Sequence, residues 1–208
     1  MIARGGGGPL AALGAGYAAI IVVWLLTGNP WLLVLVVGGA LFLALMVNFF
    51  RDPERKPGEG VVAPADGIVS IIETRGDHLL IATFMNVHDV HVNRAPTGCA
   101  VKRIARVSGP RRPAYSDEAD KNNRVVYSLE TEHGPMSLTQ ITGVFARRIV
   151  PYVHEGQRLS KGQRIGIIRF GSRVDLEMPA RGPAGMAEPR VKKGDRVRAG
   201  ESTLAIYR

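Results

Sequence analysis

Residues 155–168 read EGQRLSKGQRIGII, and residues 193–206 read KGDRVRAGESTLAI. Both segments have the form G-[QD]-R-[LV]-x-x-G-[QE] followed by an apolar run, so the C-terminal third of the chain contains a short internal repeat. Repeated strand-turn-strand units of this kind can close on each other as a small sandwich or barrel. The repeat therefore predicts a mainly β, barrel-sandwich-like soluble domain.

The sequence between the linker and the repeat supports the β prediction. Several segments are rich in Val, Ile, Leu and Thr, alternate in part, and are bounded by Gly, Pro or Asn. The predicted strands are residues 68–73, 78–84, 100–107, 124–130 and 137–141. No long amphipathic helix is predicted after residue 50, and the polar, Pro-interrupted stretch 109–123 is predicted to be a mobile loop.

The N-terminal quarter has a different character. Residues 5–50 contain no charged residue, and Gly28-Asn29-Pro30 divides them into two apolar arms, 10–27 and 31–47. Each arm is near the lower length limit for a helix that crosses a hydrocarbon core of ~30 Å. We predict a two-helix transmembrane hairpin over residues 1–50, a linker over 51–60 and a β-rich domain over 61–208. A signal peptide is the alternative, although no convincing small-residue cleavage site separates the arms.

Charged and aromatic residues orient the predicted hairpin. Aromatic side chains lie near the ends of the arms, and positive charges flank the pair at Arg4, Arg51, Arg55 and Lys56. This pattern predicts a cell-membrane protein with both chain ends, and hence the β-rich domain, on the cytoplasmic side. The lone Cys99 excludes an internal disulfide and a Cys-based zinc site, which suits a reducing compartment.

The net charge suggests an anionic partner. The chain carries a formal +9, and removing residues 1–50 removes only Arg4, so the remainder keeps +8. Nucleic acid is one partner for such a surface, but a protein tethered to a bilayer already has an anionic lipid surface at hand. Anionic membrane lipids are therefore the predicted partner, and nucleic acid is not.

Three short clusters contain candidate functional residues. Asp66 lies in APADG, just before a predicted strand, although Asp-Gly is also a common turn dipeptide. His88 and His91 lie in NVHDVHVNRAP, where an extended strand would point them to opposite faces and a turn or bulge would be needed to join them. No third ligand accompanies them, so no metal site is predicted. The last cluster is the dipeptide Gly171-Ser172.

In this order the clusters resemble the short form of the phosphatidylserine decarboxylase proenzyme family. The resemblance covers most of residues 48–178. Its signature pieces are NFFRDP at 48–53, APADG at 63–67, NVHDVHVNRAP at 86–96, NNR at 122–124, QITGVFARRI at 140–149 and FGSRVD at 170–175. The longer members have Leu-Gly-Ser-Thr where this chain has Phe-Gly-Ser-Arg, and the family often has Asn-Glu-Arg where this chain has Asn-Asn-Arg. Neither difference removes a reacting group.

The resemblance implies a precursor that cleaves itself between Gly171 and Ser172. It implies a β-chain, 1–171, and an α-chain, 172–208, which stay together as a heterodimer; further dimerisation is left open. Ser172 would become a covalent pyruvoyl cofactor. His91 matches the base for the Ser172 hydroxyl, and Asp66 matches the acid that orients this base.

The resemblance also implies the reaction of the mature enzyme. Phosphatidylserine would be the substrate, and phosphatidylethanolamine and carbon dioxide would be the products. His88 matches the family histidine implicated in decarboxylation, with a proton donor as its expected role. A membrane anchor suits this substrate, because the lipid never leaves the bilayer.

Two other functions are compatible with parts of the sequence. A membrane-tethered carrier or binding module of lipoyl-like fold would account for the repeat and the tether. However, residues 169–179 contain no carrier-type Lys turn, and such a module has no use for Gly171-Ser172. A pyruvoyl decarboxylase for another amine substrate would share the self-cleavage but not the lipid.

Overall fold

The computed structural model describes residues 1–110, 112–114, 116, 118–144, 148–169 and 172–208, and the chain divides into the units Met1–Pro53 and Glu54–Arg208. The first unit contains helices α1, Gly7–Thr27, and α2, Pro30–Phe49. Gly28 ends α1 in the left-handed conformation, and the Asn29 side chain caps α2 by accepting the Trp31 N–H at 3.0 Å. Both helices are long and apolar enough to cross a membrane, which confirms the prediction of two such helices.

The second unit is built from strands. Apart from a 3-10 turn at Ala119–Lys121, the regular elements described here are β1 Val61–Val62, β2 Gly67–Arg75, β3 His78–Met85, β4 Val92–Arg94, β5 Cys99–Val107, β6 Arg124–Thr131, β7 Gly134–Thr142, β8 Arg148–Pro151, β9 Arg158–Leu159, β10 Arg164–Arg169, β11 Ser172–Pro179, β12 Arg181–Gly182, β13 Gly185–Pro189, β14 Arg196–Val197 and β15 Thr203–Tyr207. All five predicted strands are present. The mainly β prediction is confirmed.

The strands form one large and two small sheets. The large sheet has eight antiparallel strands in the order β14-β2-β3-β11-β7-β6-β5-β9. The smaller sheets are β1-β15-β13-β12 and β4-β10-β8. Register shifts in β2, between Val69 and Ile71, and in β5, between Val101 and Arg103, break the regular ladder, and irregularities of this kind bend a strand.

The repeated sequence forms repeated structure. β9 of the first copy pairs with β5, and β14 of the second copy pairs with β2. The large sheet therefore has two similar halves, β14-β2-β3-β11 and β9-β5-β6-β7, each with a strand of the repeat at its outer edge. Each copy begins and ends its turn with a glycine of positive φ: Gly156 at 82° and Gly162 at 76° in the first, Gly194 at 95° and Gly200 at 79° in the second. The two halves meet where β11 pairs with β7.

One apolar core joins the two halves of the large sheet. Buried side chains from both copies of the repeat, including Leu159, Ile165, Val197 and Leu204, pack in the same cluster as those of the central strands. Leu176 of β11 and Leu138 of β7 are fully buried within it. The central strands are therefore held by packing from both halves.

The stretch 109–123 is anchored where the structure describes it. Asn122 is fully buried, and its amide donates to the carbonyl oxygens of Arg112 at 2.7 Å and Thr142 at 2.8 Å. Asn123 accepts the Gly109 N–H at 2.9 Å. The two asparagines thus tie both ends of the stretch to the end of β7.

Candidate active site

Ser172 is the first residue of β11, at the centre of the eight-stranded sheet. Its side chain is fully buried, and its Oγ lies 3.3 Å from Sδ of Met85, the residue directly opposite on β3. On the other side it lies opposite Thr142, the last residue of β7. Gly171, the other residue of the predicted cleavage site, lies outside the described part of the chain. The predicted nucleophile is therefore an interior group at the end of two strand ladders.

His91 lies in the turn between β3 and β4 and is also fully buried. Its Nδ1 is 2.9 Å from the carbonyl oxygen of Asp89. A carbonyl oxygen only accepts, so in the neutral ring Nδ1 carries the proton and Nε2 carries the lone pair. The His91 carbonyl accepts the Ile168 N–H at 3.3 Å, which ties the histidine to β10 shortly before Ser172.

His88 lies in the same turn but points outward, with 60% of its side chain exposed. Its Nε2 is 4.0 Å from Oδ1 of Asp89. The Asp89 carboxylate is buried, and it accepts the Asn86 N–H at 2.8 Å and Nη2 of Arg196 at 2.7 Å. A turn, rather than a strand, places the two histidines, and Asp89 contacts both of them.

Asp66 lies between β1 and β2, and its carboxylate is held on several sides. It pairs with the Arg55 guanidinium, with Nη2 to Oδ2 at 2.8 Å, and accepts the Ala199 N–H at 2.8 Å. The next residue must be glycine, because a Cβ on Gly67 would lie 2.0 Å from the carbonyl oxygen of Phe84. The described hydrogen bonds of Asp66 are thus to Arg55 and Ala199, whereas those of His91 are to Asp89 and Ile168. The two residues share no described partner.

The ion pair with Asp66 changes the role expected for Arg55. The sequence groups Arg55 with the positive charges that flank the apolar helices. In the structure its side chain is only 7% exposed and neutralises a carboxylate that is 11% exposed. Arg55 therefore belongs to the β-rich unit and does not offer a free charge to lipid headgroups.

A chain of buried polar side chains leads to Ser172 from the far side of β7. The Tyr127 hydroxyl donates to Oε1 of Gln140 at 2.6 Å, and Nε2 of Gln140 donates to Oδ1 of Asn93 at 2.6 Å. Nδ2 of Asn93 then lies 3.7 Å from the same Met85 sulfur that the Ser172 hydroxyl contacts. All five residues are fully buried. The direction of donation is fixed along the chain from Tyr127 to Met85.

Replacing Gln140 with leucine is expected to destabilise the domain strongly. The substitution leaves the Tyr127 hydroxyl and the Asn93 amide buried without their partner, and each unsatisfied group costs about 1–3 kcal/mol. The midpoint of thermal unfolding of the full chain in detergent should fall by about 5–15 °C. The control is Gln163→Leu, because Gln163 is exposed and the one described hydrogen bond of its side chain is from the Ser160 N–H. The unfolding midpoint of this variant should stay close to wild type. Equal midpoints for the two variants would contradict the expectation.

Arg173, directly after Ser172, is held inside the protein by Asp175. The two side chains pair through two hydrogen bonds, Nε to Oδ1 at 2.8 Å and Nη2 to Oδ2 at 2.9 Å, and are only 8% and 14% exposed. Burial raises the pKa of Asp175, and the Arg173 guanidinium opposes that shift. The arginine that distinguishes Phe-Gly-Ser-Arg from Leu-Gly-Ser-Thr is therefore engaged in an ion pair beside Ser172.

The sequence singled out Ser172, Asp66 and both histidines as candidates, but not Asp89, Asn93 and Gln140, which lie near them in the structure. All three lie within segments already singled out, at 86–96 and 140–149. Alternation along β7 could have identified Gln140, because it lies two residues after the apolar Leu138 and therefore on the same, inward-facing side of the strand. No group of three or more His, Cys, Asp or Glu side chains that could hold a metal ion occurs in the part of the chain that the structure describes.

Comparison with known proteins identifies the family of this site. The family model for phosphatidylserine decarboxylase matches residues 42–205. The chain belongs to the phosphatidylserine decarboxylase family. The match includes every candidate residue named above. The chain is thus a decarboxylase, and the predicted enzyme class is confirmed.

Individual relatives agree with the family assignment. A protein of Halobacterium salinarum designated an archaetidylserine decarboxylase proenzyme is 45% identical, over 90% of this chain and 92% of its own length. One of Archaeoglobus fulgidus with the same designation is 45% identical over 95% of each chain. A phosphatidylserine decarboxylase proenzyme of Streptomyces coelicolor is 48% identical over 64% of this chain and 62% of its own. The relatives' names also support a proenzyme form and a role in phospholipid metabolism.

Proposed function

We propose that this decarboxylase converts phosphatidylserine into phosphatidylethanolamine and carbon dioxide, after Ser172 has become a pyruvoyl group. The observation that carries the proposal is the position of Ser172 in a member of this family. A fully buried serine begins the central strand, and a histidine with its lone pair on Nε2 lies in the adjoining turn. These are the groups that self-cleavage requires.

In the proposed maturation the Ser172 hydroxyl attacks the carbonyl carbon of Gly171. His91 accepts the hydroxyl proton at Nε2 and returns it to the Ser172 nitrogen as the amide bond breaks and an ester forms. Loss of the Ser172 α-proton then expels the Gly171 carboxylate. The resulting dehydroalanine is hydrolysed to the pyruvoyl group and ammonia. The α-chain 172–208 would stay bound to the β-chain 1–171 as a heterodimer.

The contacts of these residues suit those roles. The thioether of Met85 is a weak hydrogen-bond acceptor, so it holds the Ser172 hydroxyl proton only weakly, and a stronger base can take that proton. The Asp89 carbonyl holds the His91 ring in the tautomer that a base requires. Asp66 is proposed as the acid that supports His91, and its ion pair with Arg55 holds the carboxylate in place.

Residue 172 is a suitable position for a pyruvoyl group. A free amino terminus would be charged at neutral pH, and burying that charge without a partner is strongly unfavourable. A pyruvoyl cap has no charge, so it fits the fully buried position that Ser172 occupies. When formed, this group supplies an electron-accepting carbonyl, which no ordinary side chain offers.

His88 is proposed to supply the proton that replaces the lost carboxylate. It is more exposed than His91, so substrate and solvent can reach its ring. Asp89 lies beside it, with Oδ1 4.0 Å from Nε2 of His88. An imidazole can give up a proton and regain it near neutral pH.

The two apolar helices are proposed to anchor the enzyme in the cell membrane, with the catalytic domain of residues 61–208 in the cytoplasm. The proposal rests on the two spans and on Arg4, Arg51 and Lys56 outside them. Reporter fusions before residue 4 and after residue 208 should both report a cytoplasmic location. A C-terminal reporter on the other side of the membrane would overturn this orientation.

Denaturing mass spectrometry and a decarboxylation assay together test the proposed function. The purified chain should appear as two species, 1–171 and 172–208, with the shorter one blocked to Edman sequencing. In mixed micelles it should release carbon dioxide from phosphatidylserine. An intact, inactive chain would instead favour a carrier module. A cleaved chain that does not decarboxylate phosphatidylserine but decarboxylates another amine would show that the enzyme has a different substrate.

A further inference from the structure

We infer that Arg106, Arg124 and Arg148 form a binding site for the phosphodiester anion of the substrate headgroup. This inference rests on the proposed function, because it assigns a subsite to the same substrate. The three arginines line one cavity of about 260 Å³. The other lining residues are Val107, Ser108, Asn123, Val125, Thr142 and Ile149.

The cavity lies at the end of the sheet where Ser172 is found. Arg106 is near the end of β5, Arg124 begins β6 and Arg148 begins β8. Thr142, which lines the cavity at the end of β7, is directly opposite Ser172 on β11. Neighbouring strands lie about 4.8 Å apart, so the cavity wall is one strand spacing from the residue proposed to react.

This spacing matches the chemistry of the substrate. In a phosphoserine headgroup only two carbons and one oxygen separate the amine nitrogen from phosphorus. A group that reacts at residue 172 through its amine must therefore carry its phosphate a short distance away. The cavity offers positive charge at such a distance.

Within the described residues, no ion pair neutralises the positive charge of the cavity. No carboxylate among the described residues pairs with Arg106, Arg124 or Arg148, and the Arg124 guanidinium donates to the Asn122 carbonyl at 3.3 Å. A guanidinium presents a planar fork of N–H donors that matches phosphate oxygens. Three such groups around one small cavity favour an anionic ligand.

Two other cavities of similar volume differ in this respect. One is lined by Arg173, whose charge is taken by Asp175. The other contains Lys102, which pairs with Glu130 at 3.0 Å. Neither cavity has several arginine or lysine side chains without a described ion pair together with a lining residue directly opposite Ser172. The arginine-lined cavity is therefore the one suited to a phosphodiester.

The test measures headgroup binding separately from catalysis. The full chain with Ser172→Ala, in detergent, is titrated calorimetrically with glycerophosphoserine, with inorganic phosphate and with serine. We expect glycerophosphoserine to bind more tightly than either of the others. Adding Arg106→Gln, Arg124→Gln or Arg148→Gln should weaken its binding about 5- to 50-fold, because each removes a charge-assisted hydrogen bond that solvent partly screens. Serine binding should not change.

Arg103→Gln is the matched control, because Arg103 is an exposed arginine on the same strand as Arg106 but does not line the cavity. It should bind glycerophosphoserine as the parent does. Undetectable binding by the Ser172→Ala parent, or unchanged binding in all three arginine variants, would overturn the inference. Equal affinity for inorganic phosphate would overturn the headgroup assignment. A further outcome is that the arginine variants bind glycerophosphoserine as the parent does but bind phosphatidylglycerol and phosphatidylserine vesicles equally less tightly. That result would show that the arginines contact the membrane surface in general and not the substrate headgroup.

Failure of this inference can be distinguished from failure of the proposed function. Headgroup binding by the Ser172→Ala protein needs neither cleavage nor a pyruvoyl group. If the wild-type chain fails to cleave or to decarboxylate phosphatidylserine, the proposed function fails, whatever the titration shows. If the wild type is active and the titration fails, only the phosphate subsite is lost.

Discussion

Ser172→Ala is expected to keep the chain in one piece and to abolish decarboxylation. The alanine has no oxygen to attack the Gly171 carbonyl, so neither the break nor the pyruvoyl group can form. The folded structure should persist, because the Ser172 Oγ has only the described contact with the Met85 sulfur. Denaturing mass spectrometry should show a single species of 208 residues. Carbon dioxide release from phosphatidylserine should fall to the uncatalysed rate.

An exposed serine provides the control for this result. Ser128→Ala changes a serine on the outer face of β6, and it should cleave and decarboxylate like the wild type. Thermal unfolding of both variants should show that each is folded. A Ser172→Ala chain that is cut after Gly171, or that decarboxylates at the wild-type rate, would overturn the pyruvoyl mechanism.

Substituting the two histidines is expected to separate maturation from catalysis. His91→Ala removes the proposed base for the Ser172 hydroxyl, and a positioned base contributes about 10²- to 10⁴-fold to such a rate. Cleavage should slow by about that factor. His88→Ala should still yield the chain 172–208, but its decarboxylation rate should fall by a similar factor. Time courses of cleavage and of carbon dioxide release measure the two effects.

A buried histidine replaced by alanine leaves a cavity, so folding must be measured as well. His91→Gln keeps a polar side chain of similar length and should also cleave slowly, since an amide is not a base. His154→Ala is the control, because His154 is exposed and the one described hydrogen bond of its ring is to the Glu155 carbonyl. If His88→Ala failed to cleave, its role would move to maturation. If folded His91 variants cleaved at the wild-type rate, another group would be the base.

Much of the fold could be predicted from local sequence. Alternation of apolar and polar residues located β2, β3, β5, β6 and β7, and the paired glycines of the repeat located two equivalent turns. Both signals work because a strand or tight turn is determined by neighbouring residues. The apolar arms likewise indicated their helices.

The connections between distant segments could not be predicted in the same way. Arg55 looked like a charge beside a membrane, because nothing near it in sequence shows that Asp66 lies within reach. Gln140 has a polar side chain at an inward-facing position, and only the tertiary structure supplies its partners Tyr127 and Asn93. The arginines of the phosphate subsite come from three strands. Such sites depend on sheet order, which local pattern does not encode.

The central place of β11 has a consequence for the timing of the proposed maturation. The strand is paired with β3 from Ser172 to Pro179 and with β7 from Ser172 to Glu177. In the proposed maturation, the scissile bond would meet its base only after β11 has been inserted between two strands from earlier in the chain. A misfolded copy would then never form the pyruvoyl group and would stay inactive. Self-cleavage would thus act as a check on folding, since only a correctly assembled domain would become active.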